Sequence, residues 1–168
     1  MRIRTIQSID DQLWLTNDKE EPPEKDKMND VHGNRLDVKP YGGIWTSTYT
    51  PDEEYDSDWI RWCSYEDYWV GKHGYLLQVK DPVNIIHINS CDDLAQVTRD
   101  YSKYNQAGYE QIDFESMSDD GYDGIHLTKR GEAETRLSEP NLYGWDSECT
   151  LWFNWKFTDV KYHKNYDS

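Results

Sequence analysis

The sequence is short of aliphatic side chains and of positive charge. Apolar residues fill only 36% of its 168 positions, with three cysteines, three methionines and three phenylalanines. No apolar run approaches the ~20 residues of a membrane-spanning helix, and the opening MRIRTIQSIDDQ has no apolar signal core. The expectation is a soluble, intracellular protein of the cytoplasm. Cys63, Cys91 and Cys149 make no paired framework, which suits a reducing compartment. Neither CxxC nor HxxxH occurs, so the spacings His87–Cys91 and Cys63–His73 carry little weight and no metal is expected. The phosphate loops GxxxxGKS and GxGxxG are absent as well. With 18 basic against 33 acidic residues the net charge is -15, a field that repels phosphate backbones and anionic lipid. Direct nucleic-acid binding and membrane association are therefore disfavoured.

What the chain has in quantity is aromatic surface. Eight tryptophans and thirteen tyrosines bring the aromatic share to 14%, enough to supply buried area that aliphatics do not. The length fits one domain over 1–168. Residues 17–31 (NDKEEPPEKDKMNDV) are charged and carry Pro22 and Pro23, the composition of a mobile loop. A first strand is expected in RIRTIQSI. The turn Lys39-Pro40-Tyr41-Gly42-Gly43 opens a second over 44–49. Trp59, Trp62 and Cys63 stand at helical spacing within 57–69, with Ser57 or Asp58 as N-cap. Strands follow at 75–79 and 84–88, joined at Asp81-Pro82, then a helix capped by Ser90 and running to about Tyr104. A short helix at 112–117, a strand at 124–128, a polar irregular stretch at 132–139 and a strand at 149–157 complete the reading. The order gives an α+β domain with antiparallel sheets and two or three helices.

Three places concentrate chemistry: Arg2 and Arg4, the run Trp45-Thr46-Ser47-Thr48, and Tyr143-Gly144-Trp145-Asp146-Ser147-Glu148. An arginine for phosphate or ribose, hydroxyls on a strand and an acidic pair two apart suit the cleavage of a dinucleotide at its glycosidic bond. Residues two apart on a strand share a face, so Asp146 and Glu148 are expected to point into one cleft.

In this order the residues resemble the arginine-serine-glutamate branch of the ADP-ribosyltransferase fold. The resemblance implies two small antiparallel sheets around a nucleotide cleft, with NAD as substrate. It assigns Arg4 (or Arg2) to the first-strand arginine, Ser47 to the central serine and Glu148 to the catalytic glutamate. Trp45, Thr46, Thr48, Tyr49 and Asp146 become dinucleotide-binding residues. The segments GGIWTSTY and SDWIRWC are similar to the nucleotide-binding strand and helix of poly-ADP-ribose polymerases. The stretches KPYGGIWTS, DWIRWC, YDGI and YGWD are similar to those of a group of phage and bacterial proteins. That likeness implies an anti-defence protein of phage origin, whose acceptor would be a host or defence component in the host cytoplasm. The sequence departs from the family pattern in reading Thr-Ser-Thr at the middle motif and Asp-x-Glu at the last.

Simpler readings stand beside these. Arg4 reads equally as a surface arginine paired with a carboxylate, Ser47 as strand propensity, and the tryptophans as core. The charge also fits a non-enzymatic acidic binding protein or inhibitor that mimics nucleic acid. The transferase reading expects Arg4, Ser47 and Glu148 to line one cleft.

Overall fold

A computed structural model describes residues 2–35, 38–68 and 71–166. Among these described residues ten strands and four α-helices follow one another as β1 (Thr5–Ile6), β2 (Gln12–Thr16), β3 (Ile44–Thr48), α1 (Asp58–Glu66), β4 (His73–Val79), β5 (Ile85–Ile88), α2 (Cys91–Asp100), β6 (Ser102–Tyr104), β7 (Glu110–Ile112), α3 (Phe114–Asp119), β8 (Gly124–Leu127), α4 (Lys129–Thr135), β9 (Cys149–Trp152) and β10 (Phe157–Asn165). The protein is α+β. Among the described residues no helix is long and apolar enough to cross a membrane.

Eight strands form one sheet in the order β1-β5-β8-β9-β3-β2-β4-β10, and β6-β7 is a separate hairpin. All its pairings are antiparallel except β5 with β8. This corrects the expectation of two small sheets and two or three helices. The physical reason lies in β3. Ile44, Trp45 and Thr46 pair with β9, whereas Ser47 and Thr48 pair with β2. One strand thus belongs to two half-sheets and joins them.

Neighbouring residues at the sheet centre feed different cores. Ile86 and Leu151 pack with Leu94, Phe114 and Met117, while Ile85 and Trp152 pack with Tyr75, Leu77 and Phe157 on the other side. Both faces are covered, so a central strand need not alternate. For that reason β2, with the run QLWLT, escaped the sequence reading. β10 escaped it for the opposite reason: it is an edge strand, largely exposed, and two register irregularities break its period.

The helices follow their caps. Ser90, as the sequence implied, and Ser57, one of its two candidates for the first helix, accept from the backbone N–H groups of Asp93 and Ile60. α1 ends at Glu66 with Asp67 left-handed at φ 51°; its expected end at Trp69 lies outside the described residues. α2 ends at Asp100, short of Tyr104, because Ser102–Tyr104 pairs with β7. The expected irregular stretch after residue 132 begins instead within α4, which is capped by Thr128 and braced by Arg130–Glu134 and Glu132–Arg136 ion pairs at i,i+4. Gly131 lets α4 sit against β5: a Cβ there would stand 2.2 Å from the Ile88 carbonyl oxygen. Residues 17–31 hold one 3-10 turn, Lys25–Lys27, and are otherwise irregular.

Candidate functional site

The hand-over of β3 from β9 to β2 makes the site. Past Thr46 the β3–β9 ladder opens, and Glu148, the residue before β9, places its carboxylate where the next rung would stand. Its Oε1 accepts from the Thr48 backbone N–H at 2.9 Å and from the Ser47 hydroxyl at 3.0 Å. Its Oε2 accepts from the Thr48 hydroxyl at 2.6 Å and from His126 Nε2 at 2.7 Å. Four donors thus hold a carboxylate that is only 8% exposed. From behind, the Glu148 N–H donates to Asp58 Oδ2 at 2.8 Å, and the Trp59 N–H donates to Ser47 Oγ at 3.3 Å. The start of α1 therefore clamps both site residues.

Burial alone would push the Glu148 carboxyl up. The hydrogen bond from His126, the attraction of that ring whenever it is protonated, and the hydroxyl and amide of Thr48 outweigh it and hold the group below its ordinary range. The carboxylate is thus ionised at neutral pH. Asp58 has its own cations, with Arg61 Nε at 2.7 Å and Lys129 Nζ at 3.6 Å. Behind His126, on the adjacent strand β5, lies His87, with the two Nδ1 atoms 3.2 Å apart.

Glu148 faces an open cleft of about 680 Å³. Its lining includes Asp10, Glu53, Asp58 and Asp81 beside Thr48, Thr50, His126 and Lys129, so negative charge predominates. A second hollow of about 430 Å³ has a different character. Trp14, Trp45, Trp59, Tyr68 and Trp145 make it aromatic, Arg35 and Lys39 bring positive charge against the one carboxylate of Asp146, and Ser47 is part of its lining. A carboxylate cleft favours a cation or a cationic transition state, and an aromatic slot with basic residues favours a planar ring bearing an anionic group.

The residues singled out in the sequence fall into four groups. Ser47, Thr48 and Glu148 meet directly. Trp45, Thr46 and Asp146 border the aromatic hollow, so Asp146 and Glu148 line different cavities. Both precede the first rung of β9, and strand alternation does not govern them. Tyr49 packs its ring edge-on to His163 at 5.3 Å. Arg4 stays apart: its guanidinium, 71% exposed, pairs with Asp93 at 3.3 Å, and it lines neither cavity. The expectation that Arg4 shares a cleft with Ser47 and Glu148 is not met, because β1 lies at the far edge of the sheet, three strands from β9.

Sequence reasoning missed His126, Asp58 and Gln12. His126 is the one polar residue of a wholly buried strand, GIHL, and that was a readable signal. Gln12 had none. It is fully buried, accepts from the Thr46 hydroxyl at 2.6 Å and donates to the Thr48 hydroxyl at 3.1 Å, which ties β2 to the site strand. Cys63 and Cys149 are poor nucleophiles, since burial pushes the Cys63 thiol up to about 12 and holds that of Cys149 well above its ordinary value. Among the described residues no three His, Cys, Asp or Glu side chains group as metal ligands. No family model, curated protein or solved structure matches the chain.

Proposed function

We propose that the chain is an ADP-ribosyltransferase-like enzyme that takes NAD as substrate and passes ADP-ribose to an acceptor, a host or defence component in the phage setting. The observation that carries this reading is the convergence of Ser47, Thr48 and Glu148 on one buried, ionised carboxylate at the wall of an acidic cleft. In the reaction the bond from the ribose C1′ to the nicotinamide nitrogen breaks, and its electron pair leaves with nicotinamide. The ribose becomes cationic and the acceptor adds to C1′, losing a proton. Glu148 accepts from a ribose hydroxyl and stabilises the cation; its low proton affinity suits that role and not that of a general acid. Ser47 and Thr48 hold the carboxylate in place. The aromatic hollow, with Trp45, Lys39 and Arg35, offers rings and positive charge to the rest of the dinucleotide. Arg4, tied to Asp93, has no part in this reading.

The test is release of free nicotinamide from NAD, with Glu148→Gln as control and matched thermal melts. Loss of one electrostatic contact to a developing charge costs ~10²-fold or more, so the variant should be nearly inactive; because its amide NH2 faces donors it should also melt lower, and the rates are compared at a temperature where the melts show both proteins folded. A wild type with no turnover and no shift in melting on adding NAD would replace this reading by a second one. That reading is a non-enzymatic acidic binder, favoured by the net charge of -15 and the carboxylates of the cleft.

A further inference from the structure

Behind Glu148 two imidazoles lie in line, on register partners of the parallel pair: His87 of β5 beside His126 of β8. The sheet therefore fixes their spacing. Glu148, ionised, can only accept, so His126 Nε2, 2.7 Å from Oε2, carries a hydrogen. With His126 neutral, its Nδ1 is a bare acceptor. The neighbouring atom, 3.2 Å away, is His87 Nδ1, which must then carry the one hydrogen between the rings. The chain of donation runs His87 to His126 to Glu148.

We propose that His87 is a positioning residue for Glu148: it selects the tautomer of His126 that donates to the carboxylate, and the two rings share one titrating proton that switches the charge at the site. This deepens the transferase reading and rests on it for its catalytic consequence. The proton count is simple. A proton taken up at His87 Nε2 lets the Nδ1 hydrogen pass to His126 Nδ1. His126 becomes an imidazolium against Glu148, and His87 is left neutral with its hydrogen on Nε2. One charge enters, and it comes to rest beside the carboxylate, where it cancels the negative charge that the cationic ribose needs. A second proton would put hydrogens on both facing Nδ1 atoms.

The charges around the pair agree. His87 is held below its ordinary value by burial first, then by His126 and by Arg4 from the chain before β1, with Asp93 of α2 opposing. His126 meets Glu148 on its other side and lines the cleft with Asp10, Asp58, Asp81 and Lys129. A charge on the pair is thus favoured at His126, nearest Glu148, over His87, nearest Arg4.

The experiment is a pH series of nitrogen–proton correlation spectra on the intact protein labelled with 15N-histidine. At neutral pH His126 should show the Nε2–H tautomer and His87 the Nδ1–H tautomer. On acidification one step should protonate His126 fully while His87 changes to Nε2–H. An Nδ1–H tautomer at His126, or two independent steps, would overturn the proposal. In nicotinamide release, His87→Leu should lower kcat about tenfold with KM unchanged, and His87→Gln, which keeps a donor toward His126, should restore much of it. Equal rates for Leu and the wild type would also overturn it. If the wild type releases no nicotinamide at all, the transferase reading fails, and the spectra alone decide whether the rings share their proton.

Discussion

Thr48 gives Glu148 two of its four hydrogen bonds, one from the main chain and one from the hydroxyl. Valine in its place keeps the shape and the N–H but removes the 2.6 Å hydroxyl donor. A buried carboxylate left one donor short should cost ~1–3 kcal/mol of stability, read by urea unfolding at neutral pH. The same change has a pH signature. Because the folded protein holds the Glu148 carboxyl below its ordinary value of 4.5, its contribution is complete above that value and is lost as pH falls through the lower folded value. The wild type should lose this part of its stability below about pH 4.5, and Thr48→Val should lose less of it, having less to lose. Parallel acid-limb slopes for the two proteins would show that the Thr48 hydroxyl does not hold the charge.

α4 tests the packing that carries His126 and Lys129. Taken by helix propensity alone, Gly131→Ala within Lys129–Thr135 should stabilise by up to ~1 kcal/mol. The added methyl, however, would stand 2.2 Å from the Ile88 carbonyl oxygen, a main-chain atom of the strand beneath. The expected outcome is the opposite sign, a loss of ~1–3 kcal/mol, with thermal melting of the two proteins as the measurement. A more stable alanine variant would mean that α4 rises from the sheet without cost. The elements that could be read from the sequence were those that announce themselves locally: Ser57 and Ser90 as caps, Trp59, Trp62 and Cys63 on one helical face, and the aromatic and β-branched run at β3. β2 and β10 could not, since a doubly covered strand loses alternation and a bulged edge strand has little apolar content to reveal it. Ser47 and Glu148 were legible as residue types. Their meeting depends on β3 changing partners after Thr46, which no local pattern encodes.

At the scale of the molecule the net charge of -15 governs the electrostatics. Self-repulsion opposes the compact state, and carboxylates gathered in the cleft add to it. Raising sodium chloride from about 10 mM to about 0.5 M shortens the screening length several-fold and should raise the melting temperature. A melting temperature that falls across this range would show that attractive pairs such as Arg61–Asp58 and Lys129–Asp58 outweigh the repulsion.

The strand shared by two half-sheets also sets a timetable for synthesis. From β1 in one half the chain enters the other at β2, reaches the shared β3, returns to the second half at β4, crosses back for β5, β8 and β9, and crosses again for β10. Neither half is a continuous stretch, so neither can be completed on the ribosome while the other waits. The socket of Thr48, Ser47 and Asp58 emerges early and stays empty until Glu148 follows it, 100 residues behind Thr48. A nascent chain stalled before Glu148 would hold Ser47 and Thr48 without their carboxylate and Asp58 without the Glu148 N–H, and a chaperone that binds unpaired strands would find β3 open on its β9 side until that moment.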